Sequence, residues 1–102
     1  VPVLRMKCST QTVEAGGETV FPYGNAAPGE LPKIHAYGRC EDARAGALKV
    51  PAVQGNAIIF YSLQARGHPR GALDPTSLHG GCDPIKGTKW AANLWIRNGP
   101  KL

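Results

Sequence analysis

The chain has 102 residues, with 12 Lys and Arg against 7 Asp and Glu and a formal net charge of +5 at pH 7. That length allows one domain at most, with a modest core and little stability to spare. No stretch is apolar enough to cross a membrane as a helix and no signal-peptide pattern is visible. The basic residues are scattered rather than gathered in a run, which argues against nucleic acid as a partner and leaves acidic ligands open.

Thirteen glycines and nine prolines, about twice the average share, imply many turns and no long helix. The chain begins at Val1 rather than Met, as a processed product or a fragment does. Cys8, Cys40 and Cys82 lack any CxxC spacing, so a structural zinc site is not expected. One disulfide with one free thiol fits an oxidising compartment; three reduced thiols fit a cytosolic one.

In chain order, residues 1–10 (VPVLRMKCST) alternate imperfectly and read as a strand, with Pro2 suited to its start or to a sheet edge. Glu14-Ala15-Gly16-Gly17 reads as a turn and residues 18–21 (ETVF) as a short strand ended by Pro22. Residues 23–46 show no helical period and read as a long loop, either a lid or binding loop or a plain connector. Residues 47–53 (ALKVPAV) read as a strand near an edge or a bulge, and Gln54-Gly55-Asn56 as a tight turn. The β-branched and aromatic run at 57–63 (AIIFYSL) reads as a central strand buried on both faces. A basic loop at 64–74 follows, then a turn into Ser77-Leu78-His79. Residues 86–97 hold a turn at Gly87 and a last strand. Short strands, Gly/Pro turns and no convincing helix point to an all-β sandwich or barrel.

Three blocks then carry a family likeness, in a common order. They are GGETVFP from Gly16, the Cys40, Leu48-Lys49-Val50 and GNAIIF group, and DPTSLHGGCDPIKGTKWAANLWIR from Asp74 to Arg97. This sequence resembles the prolyl 4-hydroxylases, iron(II)- and 2-oxoglutarate-dependent oxygenases, and the plant and algal branch most closely. The resemblance implies a partial double-stranded β-helix, or jelly roll, with a long loop between early and late strands. Only the later strands are expected, about five or six of the eight that a full jelly roll has. Residues 1–102 would be the C-terminal part of the catalytic domain. The strand at 1–10 is almost wholly apolar in that family, so Arg5 and Lys7 are departures, and the strand is expected to be an edge or to lack its covering layer.

Residue by residue, each role has a plainer alternative. His79, a lone histidine after a strand, reads by itself as structural or exposed; the resemblance makes it an iron ligand, with Gly80 and Gly81 letting the backbone pass close to the metal. Lys89 reads by itself as a surface charge. The resemblance gives it the far carboxylate of 2-oxoglutarate, which fits because a buried ammonium needs an anionic partner. Thr19 is expected to add a hydroxyl to that pocket. Trp90 and Trp95 read as core residues, while the resemblance lets Trp95 line a groove for a Pro-rich peptide, which packs on aromatics. Arg66, His68 and Arg70 read as a solvated loop. Cys40 and Cys82 match a cysteine pair of plant-type members, and Cys8 has no partner in that scheme. Asp83 is a departure just past the expected ligand.

A non-haem iron(II) oxygenase needs two histidines and a carboxylate on one side of the metal. His35, His68 and His79 are followed by Ala-Tyr, Pro-Arg and Gly-Gly, so the family's His-x-Asp motif is absent. Two expectations follow. The chain is part of a prolyl 4-hydroxylase that uses iron(II), 2-oxoglutarate, O₂ and ascorbate on Pro-rich peptides in the endoplasmic reticulum or secretory lumen, and these 102 residues alone are inactive. Alternatively, it is an inactive relative serving as a structural or binding subunit, its sheet completed or covered by neighbouring chains.

Overall fold

The computed structural model describes residues 4–27, 29–31, 38–43, 46–63 and 72–97. His35, Arg66, His68 and Arg70 lie outside these residues, as do Val1 and Pro2. Among the described residues the architecture is all-β and jelly-roll-like, with every strand pairing antiparallel. The strands are β1 (Leu4–Ser9), β2 (Ala15–Gly16), β3 (Thr19–Phe21), β4 (Leu48–Val50), β5 (Ala57–Tyr61), β6 (Gly80–Gly81), β7 (Pro84–Lys86) and β8 (Ala91–Ile96). Two of the eight are two-residue strands, which is why the expected five or six fell short. Among the described residues helical geometry is limited to 3-10 turns such as Cys40–Asp42 and Pro75–Ser77.

Two three-stranded sheets, ordered β5-β1-β8 and β4-β3-β6, are accompanied by the β2-β7 pair. The sheets meet through aromatic rings. Phe21 on β3 meets Phe60 on β5 edge-on, with centroids 5.2 Å apart. Thr19, Val20 and Phe21 are all buried, so β3 is the core strand of its sheet. Val13, Ala52 and Cys82 complete a small apolar centre.

Two expectations about strand placement are corrected. The run at 57–63 is not a central strand buried on both faces. Its strand ends at Tyr61, lies beside β1 at the end of the described sheet order, and alternates between exposed and half-buried residues. Its continuous apolar character comes from an outward face of Ile59 and Tyr61, 62% and 63% exposed. Of the two alternatives for β1, an edge position is ruled out, since it is the middle strand of its sheet and half-buried along its length; a missing covering layer fits the exposed apolar residues beside it. Pro51 ends the expected strand at 47–53 early, leaving Leu48–Val50, because proline cannot donate to a ladder.

Register decides what faces inward. Arg5 lies opposite both Phe60 and Trp95, and Lys7 opposite Ile58 and Asn93. Directly opposed residues share a face of the sheet, so the charged residues of β1 turn toward Phe60 and the second sheet. Leu4, Met6 and Cys8 share the other face with Ile59, Tyr61, Leu94 and Ile96, and the last four are all substantially exposed. This is the reverse of the usual apolar-in, polar-out alternation.

Candidate functional site

His79 is placed by a short approach segment. The Ser62 carbonyl accepts from the Asp74 N–H at 2.9 Å and Leu63 bridges Leu73, so the chain comes back beside itself before the histidine. The Asp74 carboxylate accepts from the Thr76 backbone N–H at 2.9 Å and from its hydroxyl at 2.6 Å, capping the 3-10 turn that Pro75 opens. Two residues past that turn, the imidazole sits against Phe60 at 4.8 Å and Phe21 at 5.7 Å between centroids. Its Nδ1 lies 2.9 Å from the Ser77 carbonyl oxygen. A carbonyl can only accept, so in this contact Nδ1–H donates.

Gly80 has a packing role within the fold itself, which Gly81 does not share. A Cβ at Gly80 would stand 1.6 Å from the Gly38 carbonyl oxygen, whereas one at Gly81 would meet only the Lys89 Nζ, at an ordinary 3.8 Å. Gly80 thus admits the 38–39 backbone against β6, and the Cys40–Cys82 disulfide joins the same two segments. Cys8 is a free, half-buried thiol. Asp83, expected to alter the site, has an exposed side chain; its carbonyl accepts from Gly17 at 3.1 Å.

Gly81 lies opposite Thr19, which is 3% exposed. The half-buried Lys89 ammonium over Gly81 therefore stands on the face of the β4-β3-β6 sheet that carries the Thr19 side chain. Burial holds this ammonium below the ordinary lysine range and the nearby Lys7 ammonium lowers it further, with Glu18 acting weakly the other way. Trp90 and Trp95 are not core residues: they are 65% and 57% exposed. Trp95 lies at the open side of β8 with the Arg5 guanidinium 5.9 Å from its ring.

Sequence reasoning missed Arg5 and Lys7 as site residues. With Phe60, Asn93, Trp95 and His79 they line a cavity of about 90 Å³, and Arg5 and His79 also line a neighbouring one of about 500 Å³. Arg5 Nε is buried without a hydrogen-bond partner among the described residues. The cue lay in the alternation of Arg5 and Lys7 with Leu4 and Met6, which is equally compatible with either face turning inward.

An iron(II) site is what the family resemblance implies, and the donor set does not fit one. His79 has a ligand's arrangement, since a metal-bound imidazole usually donates its other N–H to a carbonyl or carboxylate. Yet no group of three His, Cys, Asp or Glu side chains able to hold a metal exists among the described residues. Asp74, the one carboxylate lining either cavity among the described residues, is engaged as a cap. The other charged groups in the small cavity are cations, which oppose a second cation in a site of low dielectric.

No family model matches the chain. Curated relatives do. It is 45% identical over 87 residues to prolyl 4-hydroxylase 13 of Arabidopsis thaliana, an alignment covering 85% of this chain and 28% of that protein. It is 42% identical to probable prolyl 4-hydroxylase 10 of the same plant over 83% of this chain and 27% of the relative. Probable prolyl 4-hydroxylase 3, also from Arabidopsis thaliana, is 41% identical over 85% of the chain and 28% of its own length. The chain thus spans less than a third of the length of these relatives.

Proposed function

The chain belongs to the plant-type prolyl 4-hydroxylase family, and from that premise we propose that it forms the carboxylate-binding side of such a site, a unit that does not turn over by itself. In this reading Lys89 holds the far carboxylate of 2-oxoglutarate, with Thr19 on the same wall, and Trp95 at the open side takes a Pro-rich peptide. The observation that carries it is the half-buried Lys89 ammonium over Gly81, close to the like-charged Lys7. A partly desolvated cation pair is unfavourable until an anion joins it. The Cys40–Cys82 bridge supports an endoplasmic reticulum or secretory setting. The exposed apolar face of β5-β1-β8 supports a unit that works against further polypeptide.

Calorimetric titration with 2-oxoglutarate, run beside a succinate-release assay with a Pro-rich peptide, iron(II) and ascorbate, tests the reading. Binding that Lys89→Met removes, without succinate release, is expected. Succinate release by these 102 residues, or 2-oxoglutarate binding indifferent to Lys89→Met, would overturn it.

A second reading is favoured by His79 itself. Its Nδ1–H is committed to the Ser77 carbonyl, an arrangement that orients an imidazole as a metal ligand through Nε2, so it suits a metal site whose remaining ligands come from other residues of a longer domain. Restored iron binding on joining an upstream family segment that bears His-x-Asp would select this reading.

A further inference from the structure

The free edge of β5 plays no part in the site described above. Ser9 donates to the Asn56 carbonyl at 3.0 Å and accepts from the Gly55 N–H at 2.9 Å, whereas the next residue, Thr10, donates to the Trp90 carbonyl at 3.1 Å. Backbone groups alternate sides along a strand, so Ser9, Lys7 and Arg5 bond toward β5 and the residues between them toward β8. By register, Lys7 and Arg5 then bond Ile58 and Phe60. The N–H and C=O groups of Ala57, Ile59 and Tyr61 point the other way, off the side of β5 that no strand covers among the described residues. Residues 58–61 also border a cavity of about 310 Å³ shared with Leu48 and Val50 of β4, so the space between the two sheets is open at this end. Exposed strand edges are normally protected by charge or proline. β4, at the corresponding end of the other sheet, carries the exposed Lys49; β5 reads AIIFY and has neither device.

We propose that two copies of this chain associate through β5, edge to edge and antiparallel about a two-fold axis at Ile59. The strand is its own complement in this register. Ile59 meets Ile59 of the second copy and Ala57 meets Tyr61, so every outward-facing residue pairs with an outward-facing residue, in about six N–H···O bonds. A register one residue off would set each open group against one already turned toward β1. Opposed residues share a face of the sheet, so Ile59 and Tyr61, 62% and 63% exposed, gain apolar neighbours. Charge favours the same place. Each chain carries a formal +5, and like-charged copies approach most readily where charge is absent. β5 has none, and Arg5 and Lys7 lie on the opposite face of the sheet from Ile59. Five residues a side are far fewer than the roughly 20–30 of a standard interface, so the dimer is weak, with Kd on the order of 100 μM. The pairing is independent of Lys89, His79 and any ligand, so its failure leaves the reading of Lys89 standing.

The test is sedimentation velocity of the full 102-residue chain from about 5 μM to about 1 mM, in a Cys8→Ser background that removes the free thiol. Reversible dimerisation across that range is expected. Ile59→Pro removes an outward N–H and spares the ladder to β1, since edge strands tolerate proline. It should weaken the dimer about tenfold or more through two lost bonds, with circular dichroism recording that it folds. Ile59→Cys gives a second route that leaves the backbone unaltered. Cα atoms of a hydrogen-bonded antiparallel pair stand about 5.5 Å apart, inside the roughly 4.4–6.8 Å that a disulfide spans, so air oxidation should join two chains through the introduced thiol. Ile85→Cys, at a position 83% exposed on β7, should stay a single chain on the same non-reducing gel. A chain monomeric at about 1 mM, a dimer indifferent to Ile59→Pro in a folded variant, or a disulfide that forms in Met6→Cys but not in Ile59→Cys would overturn the inference, the last by placing the contact on the sheet face.

Discussion

Replacing Gly80 by alanine addresses how His79 is held. The added Cβ would sit 1.6 Å from the Gly38 oxygen and 2.8 Å from the Gly38 carbon. Both are backbone atoms, so no side-chain rotation relieves the clash. The reverse approach is as close, since a Cβ at Gly38, where φ is +81°, would lie 2.8 Å from the His79 oxygen. The Cys40–Cys82 bridge tethers the segments on either side of this contact. Overpacking a tight site typically costs about 1–3 kcal/mol, and a clash confined to backbone belongs at the top of that range or beyond. At about 4–8 °C per kcal/mol for a domain of this size, Gly80→Ala should melt about 12–24 °C below the parent. The neighbouring Gly81→Ala is the internal control. Its Cβ meets only the end of a flexible lysine at 3.8 Å, and alanine restricts the unfolded chain, so a change within ~1 kcal/mol of either sign is expected. Thermal denaturation followed by circular dichroism reads both. A Gly80→Ala variant melting within about 4 °C of the parent, or a Gly81→Ala variant falling as far, would refute the claim that backbone contact, rather than proximity to a ligand, fixes this motif.

Other consequences are open to simple measurement. The Cys40–Cys82 bridge closes a loop of sequence separation 42, for which loop-closure entropy gives about 4 kcal/mol; the Cys40→Ser, Cys82→Ser double variant should show a urea midpoint lowered to match, and an unchanged midpoint would count against the pairing. Lys89 has its folded-state pKa below the ordinary value of 10.5, so its penalty on stability is fully present below the folded pKa and is relieved as pH rises through it toward 10.5. Relative to Lys89→Met, the parent should therefore gain stability across that alkaline window, and a parallel pH profile for the two proteins would contradict the shift. The outward face of β5-β1-β8 should bind a hydrophobic dye, and Ile59→Lys with Leu94→Lys should cut the fluorescence without lowering the melting temperature by more than about 4 °C; unchanged fluorescence would locate the dye elsewhere.

Much of this molecule was legible because the informative signals were local. Glycine and proline punctuation gave the all-β class and Pro22 ends β3, but the turn expected at Glu14-Ala15-Gly16-Gly17 holds the two-residue strand β2, in which Gly16 has φ +74°. The family blocks drew attention to His79, Lys89, Thr19 and the Cys40–Cys82 pair. Sequence alternation states which residues lie on a common face but not which face turns inward, and on β1 the pairing with Phe60 and Trp95 turns Arg5 and Lys7 inward. The unbroken apolar run at 57–63 was read as buried on both faces, but its Ile59 and Tyr61 side is exposed. Trp95 was taken as core by residue type, but β8 is exposed along its whole length, and a ring there can cover a guanidinium while one side stays in water. Gly80 showed its purpose only once the 38–39 backbone was seen against it, a contact between segments more than forty residues apart.

The central claim is that the Lys89 ammonium, close to Lys7, holds a carboxylate of the ligand. The direct measurement is a two-dimensional NMR titration of the chain with 2-oxoglutarate, following the Lys89 and Lys7 side-chain resonances. The ligand should shift the Lys89 signals saturably, and Lys89→Met should abolish the response of Lys7. Lys89 signals that stay fixed while other resonances titrate, or a Lys7 response that persists in Lys89→Met, would contradict the account.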